Sequence, residues 1–226
     1  MIEAMITALI LRVVLATVFT AMASLQRVQA STEARLANLE EARIVTSVLT
    51  RDLRTAAKDP TSGSTPRAWV TAASSTAITF YGYVNTYADL PTNAARAAFP
   101  SRITLTLSTV GTRQRLTETL TPPVASGSTW VVATTTSSET KTRIVSESIL
   151  PSSSTLFFTW LTATAADGSE GALNSTATPT VAAADLGSIA AVALNVTIKR
   201  QVSAGASETT LKTEVRMPNV TVRPGD

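Results

Sequence analysis

Between Ala4 and Leu25 the chain runs through AMITALILRVVLATVFTAMASL, 22 residues with a single charge, Arg12. About 20 apolar residues suffice to cross a bilayer as a helix, so this segment is of membrane length. The helical signal does not stop there. Neither Gly nor Pro occurs before Pro60, and the intervening QRVQASTEARLANLEEARIVTSVLTRDLRTAAK is built from strong helix formers. One helix is therefore expected from Ile2 to Lys58, a rod of roughly 85 Å.

The two halves of this rod differ in kind, with a boundary near residue 25. Beyond Leu25 the apolar positions Val28, Leu36, Leu39, Val45, Leu49 and Leu53, with the small Ala42 and Ala56, recur three or four residues apart. Arg35, Glu40, Arg43, Arg51 and Arg54 fall on other faces. Residues 26–58 are thus expected to be amphipathic and to lie against a globular body. The stop signal is DPTSGSTP, Asp59 to Pro66, where Pro60 disfavours helix in the residue before it and Gly63 ends any continuation.

From residue 59 to 226 the texture is that of a β-rich body. Short runs rich in Thr, Val and Ile, separated by Ser, Gly, Pro and Asn clusters, point to antiparallel sheet. The expected strands are Ala77–Val84, Arg102–Ser108, Arg113–Leu120, Thr129–Thr135, Arg143–Ser148, Leu156–Leu161, Ile189–Arg200 and Thr209–Met217. Alternation in Ile103, Leu105, Leu107 and in Val192, Leu194, Val196, Ile198 implies one covered face and one wet face. Gly111-Thr112 and Ser203–Ser207 read as hairpin loops. Thr86–Asn93, Ser152–Thr155 and Ala163–Thr180 read as surface loops, the last long enough for recognition or subunit contact. The fold class is α+β, with the amphipathic half of the helix covering the sheet.

Composition removes much chemistry. The chain has no Cys and no His, which excludes disulfide scaffolds, thiol nucleophiles, Cys/His zinc sites and any imidazole-based triad. It also lacks a P-loop, a glycine-rich phosphate cradle and a Gly-x-Ser-x-Gly elbow. No catalytic residue and no cofactor are expected. Lys and Arg number 19 against 16 Asp and Glu, a net charge of +3, and no specific nucleic acid partner follows from so small a surplus.

The remaining candidates have plain readings. Asp167-Gly168-Ser169-Glu170-Gly171 sets two carboxylates at a turn, far short of the about six to eight oxygens a calcium ion takes, so no metal is expected there. Asn174, Asn195 and Asn219 each open an Asn-x-Ser/Thr triplet, which a Thr-rich chain produces by chance. Trp69, Trp130 and Trp160 read as core or subunit-contact residues, since none is interleaved with an Arg/Lys cluster.

The amino-terminal segment has rival readings. Ala21-Met22-Ala23 offers a signal-peptidase site, but a secretory signal would open on basic residues, and this start carries Glu3 and no Lys or Arg. A plain membrane anchor leaves Glu3 unexplained, because a carboxylate at an apolar tip is costly without a partner.

An acidic residue at the head of an apolar helix, an amphipathic continuation and a polar break together resemble a type IV pilin or secretion pseudopilin. Met1-Ile2-Glu3-Ala4-Met5 followed by ITALIL resembles the end of that family's Phe-Thr-Leu-Ile-Glu motif. Glu41-Ala42-Arg43 and Leu49-Thr50-Arg51-Asp52-Leu53-Arg54-Thr55-Ala56 resemble the helix end of PulJ/PilW-type subunits. Ile189 to Ile198, a polar turn, and Thr210 to Asn219 resemble their closing hairpin. The family's basic leader ending in Gly does not precede Met1, so the chain reads as already processed or as incomplete.

The resemblance implies a structural subunit whose helix is a membrane anchor in the monomer and filament core after assembly. Leu9, Leu11, Val14, Leu15, Val18, Phe19 and Leu25 would pack that core. Its partners would be copies of itself, other pilins, a prepilin peptidase and an assembly platform, and its final location a surface pilus. A minor pilin or pseudopilin that primes or caps a filament, and a singly anchored surface adhesin, are the alternatives. In the family the acidic residue matching Glu3 neutralises the terminal amine of a neighbouring subunit. Arg12 stands about 13 Å further along the axis, out of reach within one helix, so an axially displaced neighbour would bring Glu3 beside Arg12; the rival reading is that Arg12 snorkels to a headgroup.

Overall fold

In the computed structural model, residues 2–57, 70–84, 99–126, 129–131, 137, 139–152, 154–162, 171–200 and 208–217 are described. Helix α1, Ile2–Arg54, is unbroken over 53 residues, as a run without Gly or Pro should be. It ends at Arg54, about one turn before the expected Lys58. Thr55 Oγ1 donates to the Asp52 carbonyl at 2.6 Å, and the chain then enters the sheet: Ala57 N donates to Tyr81 O and Tyr83 N to Thr55 O. The approach is close at Gly82, where a Cβ would stand 2.8 Å from Thr55 Oγ1 and 3.2 Å from Thr55 O. The expected stop at Asp59–Pro66 lies outside the described residues.

Ten strands follow: β1 Val70–Ala73, β2 Ala77–Gly82, β3 Ser101–Val110, β4 Arg113–Thr121, β5 Val124–Ser126, β6 Thr129–Val131, β7 Lys141–Ile149, β8 Phe158–Thr162, β9 Ile189–Ile198 and β10 Thr209–Arg216. All eight expected runs carry a strand. The four-residue β1, the three-residue β5 and a 3₁₀ turn at Ala183–Ser188 were not expected. Gly111 takes φ +62° in the loop joining β3 to β4, while no other residue type shows a positive φ among the described residues; this suits a two-residue hairpin with Gly at its first central position.

The main sheet is antiparallel in every registered pair, in the order β1-β2-β3-β4-β7-β9-β10. One edge of β9 carries β10; the other carries β8 along its first half and meets β7 at Ile149 opposite Ile198. The sheet is nearly closed, because β8 also reaches the turn after β1: Phe158 N donates to Ser75 O at 3.1 Å and Trp160 Nε1 to Ser74 O at 2.8 Å. Inside lie Ile78, Phe80, Ile103, Leu105, Leu116, Phe158, Trp160, Val192, Leu194, Val196 and Ile198. The rings of Phe158 and Trp160, two residues apart on one face of β8, stack at 5.5 Å.

The second half of α1 lies against β10, β9 and β7, as an amphipathic helix should. From Ala42 to Ala56 its buried face is the expected one, with Val45, Leu49 and Leu53 inward, and it departs from expectation only before that. The buried positions are Ala34, Asn38, Ala42, Val45, Leu49, Asp52 and Leu53, whereas Val28 and Leu36 are exposed, Leu36 at 61%. Apolar spacing alone placed those two inward. Two polar residues join the buried face: Asn38, whose Oδ1 accepts the Arg200 N–H, and Asp52, bonded by its helix neighbour Arg51.

Candidate functional site

The amino-terminal half of α1 touches nothing in the body. Residues 2–30 are exposed throughout, a bare rod of about 43 Å. Its most apolar 18-residue window has a mean hydropathy of 2.1 with none of it buried, so the helix is long and apolar enough to cross a membrane. Leu9, Leu11, Val14, Leu15, Val18, Phe19 and Leu25 are all exposed on it. Leu36 and Ile44, further along α1, and Ile144 on β7 extend exposed apolar surface onto the body.

The polar side chains of this half are arranged for an apolar environment. Thr7 Oγ1 donates to Glu3 O, Thr17 to Val14 O, Thr20 to Ala16 O and Ser24 to Ala21 O, all at 2.7–2.8 Å. Each hydroxyl donor is therefore satisfied by the helix's own backbone and imposes no unpaired group on whatever covers the rod. Glu3, in the first turn, also sits where the helix dipole favours an anion. Glu3 and Arg12 lie nine residues apart on this one helix, which at about 100° per residue sets them on opposite sides, about 180° apart. They do not meet within the chain.

One polar fastening holds the second half of α1 to the sheet, and a second cluster of charges lies near the helix end. At the first, Arg200 is gripped three ways. Its N–H donates to Asn38 Oδ1 at 2.9 Å, its carbonyl accepts from Arg113 Nη2 at 2.7 Å, and its guanidinium Nε lies 3.3 Å from Glu41 Oε2. Glu41 also accepts from Ser146 Oγ at 2.7 Å. At the second, near the end of α1, Asp52 faces inward beside Glu118 of β4. Arg51 Nε and Nη2 donate to Asp52 Oδ1 at 2.9 and 2.8 Å, and Arg143 of β7 donates to Glu118 Oε2 through Nε at 2.8 Å and through Nη2. Burial pushes the Asp52 carboxyl up to about 6, the charge of Glu118 adds to this, and the bonds from Arg51 oppose it. Sequence reading noted neither Arg200 nor Glu118; an inward Glu on an alternating strand was the available signal, since Glu118 stands between Leu116 and Leu120.

The other candidates are resolved one by one. Asn174 is buried, not displayed: its Nδ2 donates to Phe158 O at 3.0 Å and its Oδ1 accepts from Trp160 N at 2.9 Å, so it continues the free edge of β8 as a peptide group would. Asn195 lies within β9 between strands, and Asn219 lies outside the described residues. Trp160 is core; Trp130 is half-buried on β6; Trp69 and the Asp167–Glu170 loop lie outside the described residues. Among the described residues no three His, Cys, Asp or Glu come together to hold a metal. An open groove of about 580 Å³ runs along β9 and β10, lined chiefly by hydroxyl side chains with Lys212 and Glu214.

Comparison with protein-family models, curated proteins and solved structures finds no match for this chain.

Proposed function

We propose that the protein is a structural subunit, held in the cytoplasmic membrane by its apolar half before assembly and then polymerised through that half into a type IV pilus-like surface filament. The observation that carries this reading is the bare rod of residues 2–30, continuous with a helix whose other half is fastened to an antiparallel body. Exposed apolar surface on this scale has to be covered. Lipid covers it in the monomer, and the same side chains, Leu9 to Leu25, pack against copies of themselves in a filament.

The placement of Glu3 and Arg12 on opposite sides of α1 supports the same reading. A subunit that offers an acid on one side and a base on the other, displaced by about 13 Å along the axis, pairs with two different neighbours. Such head-to-tail contacts generate open helical arrays instead of closed dimers. Other pilins, a prepilin peptidase and an assembly platform are the partners this function requires. The resemblance of the helix end and closing hairpin to PulJ/PilW-type subunits favours, as a second reading, a minor subunit that primes or caps the filament.

Electron microscopy and mass spectrometry of sheared surface fibres test the proposal. Fibres containing this chain as a repeating component are expected. Trace amounts would point to the minor subunit, and intact monomers found only in the membrane fraction would overturn polymerisation in favour of an anchored surface protein.

A further inference from the structure

The charge cluster at the end of α1 holds a feature that packing alone does not explain. Asp52 stands on the buried face of α1 where the helix pattern calls for an apolar residue, and its side chain is 1% exposed. Arg51 saturates Oδ1 alone; Oδ2 is buried with no hydrogen-bond partner among the described residues. Across from it Glu118 points inward from β4 with a side chain 8% exposed, and both bonds from Arg143 go to Oε2. Arg51 and Arg143 are themselves half exposed, at 54% and 50%. The charged groups facing Asp52 are thus Arg51 from the helix, Glu118 from β4 and, through Glu118, Arg143 from β7.

Two positive and two negative charges sum to zero here, but the geometry does not satisfy them. An ionised oxygen buried without a donor is heavily penalised, and two carboxylates in one site cannot both ionise freely. A proton on Oδ2 removes both penalties, because it turns an unpartnered acceptor into an O–H donor within reach of Glu118.

We propose that Asp52 holds a proton against Glu118 across the seam between the end of α1 and β4, and that losing it loosens the last turns of the helix from the sheet. The seat of the helix on its body is then a pH-sensitive device. An acid whose midpoint in the fold lies above its ordinary 3.8 stabilises the fold while protonated. That contribution is full below 3.8 and is lost as pH rises through about 6. Helix and body are held most firmly in mildly acid surroundings and least firmly above neutrality. Glu118→Gln should lower the Asp52 midpoint by removing the neighbouring negative charge.

The test uses the full chain in detergent. Carbon-13 NMR of the aspartate carboxyls should show one that titrates near 6, well above the ordinary 3.8, and that is missing from Asp52→Asn. Amide exchange over Leu49–Ala57, corrected for its intrinsic pH dependence, should lose protection between pH 5 and pH 7.5 in the wild type and keep it in Asp52→Asn, whose amide mimics the protonated acid. An Asp52 carboxyl that titrates near 3.8, or protection that falls equally in both proteins, would overturn the proposal. If Asp52→Asn fails to fold, carboxyl titration of the wild type with specific labelling decides alone.

Discussion

Asn38 Oδ1 accepts the backbone N–H of Arg200 at 2.9 Å, so a side chain of the helix takes up a strand's hydrogen bond where β9 ends. With Glu41 on the guanidinium and Arg113 on the carbonyl, this contact fixes the point at which the rod leaves the body. Asn38→Ala removes the acceptor of a partly buried hydrogen bond, which costs about 0.5–1.5 kcal/mol. Chemical denaturation of the body should show that loss, and Asn38→Asp, which keeps the acceptor, should show less of it.

The buried face of the helix separates two leucines that apolar spacing treats alike. Leu49 is fully buried and Leu36 is not. Leu49→Ala should destabilise the folded chain by about 2–5 kcal/mol, as large-to-small core changes do, whereas Leu36→Ala should leave its thermal unfolding within about 0.5 kcal/mol, like other surface changes. If exposed Leu36 packs against a neighbour, the order reverses in fibre yield per folded subunit. Equal unfolding of the two variants would contradict the assigned face.

Pairing between Glu3 of one subunit and Arg12 of the next predicts that Arg12→Leu lowers fibre yield several-fold while membrane-bound subunit stays constant, since stripping one partner from a buried pair costs on the order of 3–5 kcal/mol. Charge exchange, Glu3→Arg with Arg12→Glu, should restore part of the yield. Unchanged fibres from Arg12→Leu would show that Arg12 serves a headgroup instead.

Strand positions were legible because their signal is local: alternation in β3 and β9 records which side faces the core, and Gly111 marks the turn. β1 and β5 were not, since three or four residues of small or mixed type carry too little pattern, even though each pairs with the next strand in the chain, Val70 opposite Phe80 and Val124 opposite Val131. The helix was legible as an element and, from Ala42 on, as a face; Val28, Leu36 and the two inward polar residues were the misses. Periodicity assigns polar residues to solvent, and only the fold shows Asn38 reaching the backbone of Arg200 and Asp52 turned inward beside Glu118. For the candidate site, the apolar stretch and its single charge were plain in the sequence. The opposed placement of Glu3 and Arg12 needed the unbroken helix, and the polar fastening and the charge cluster needed the fold.

Polymerisation through the apolar half is tested most directly by thiol labelling, which a chain without Cys makes unambiguous. Leu15 is 46% exposed on the single chain, and Arg43 is exposed on the far half of α1. Cysteine variants at each position, probed in sheared surface fibres with a bulky water-soluble maleimide, should show Leu15→Cys protected until the fibres are dissociated and Arg43→Cys more readily labelled throughout. Labelling of Leu15→Cys at the same rate in intact and dissociated fibres, or recovery of the chain only as membrane-bound monomers, would contradict a filament built on this helix.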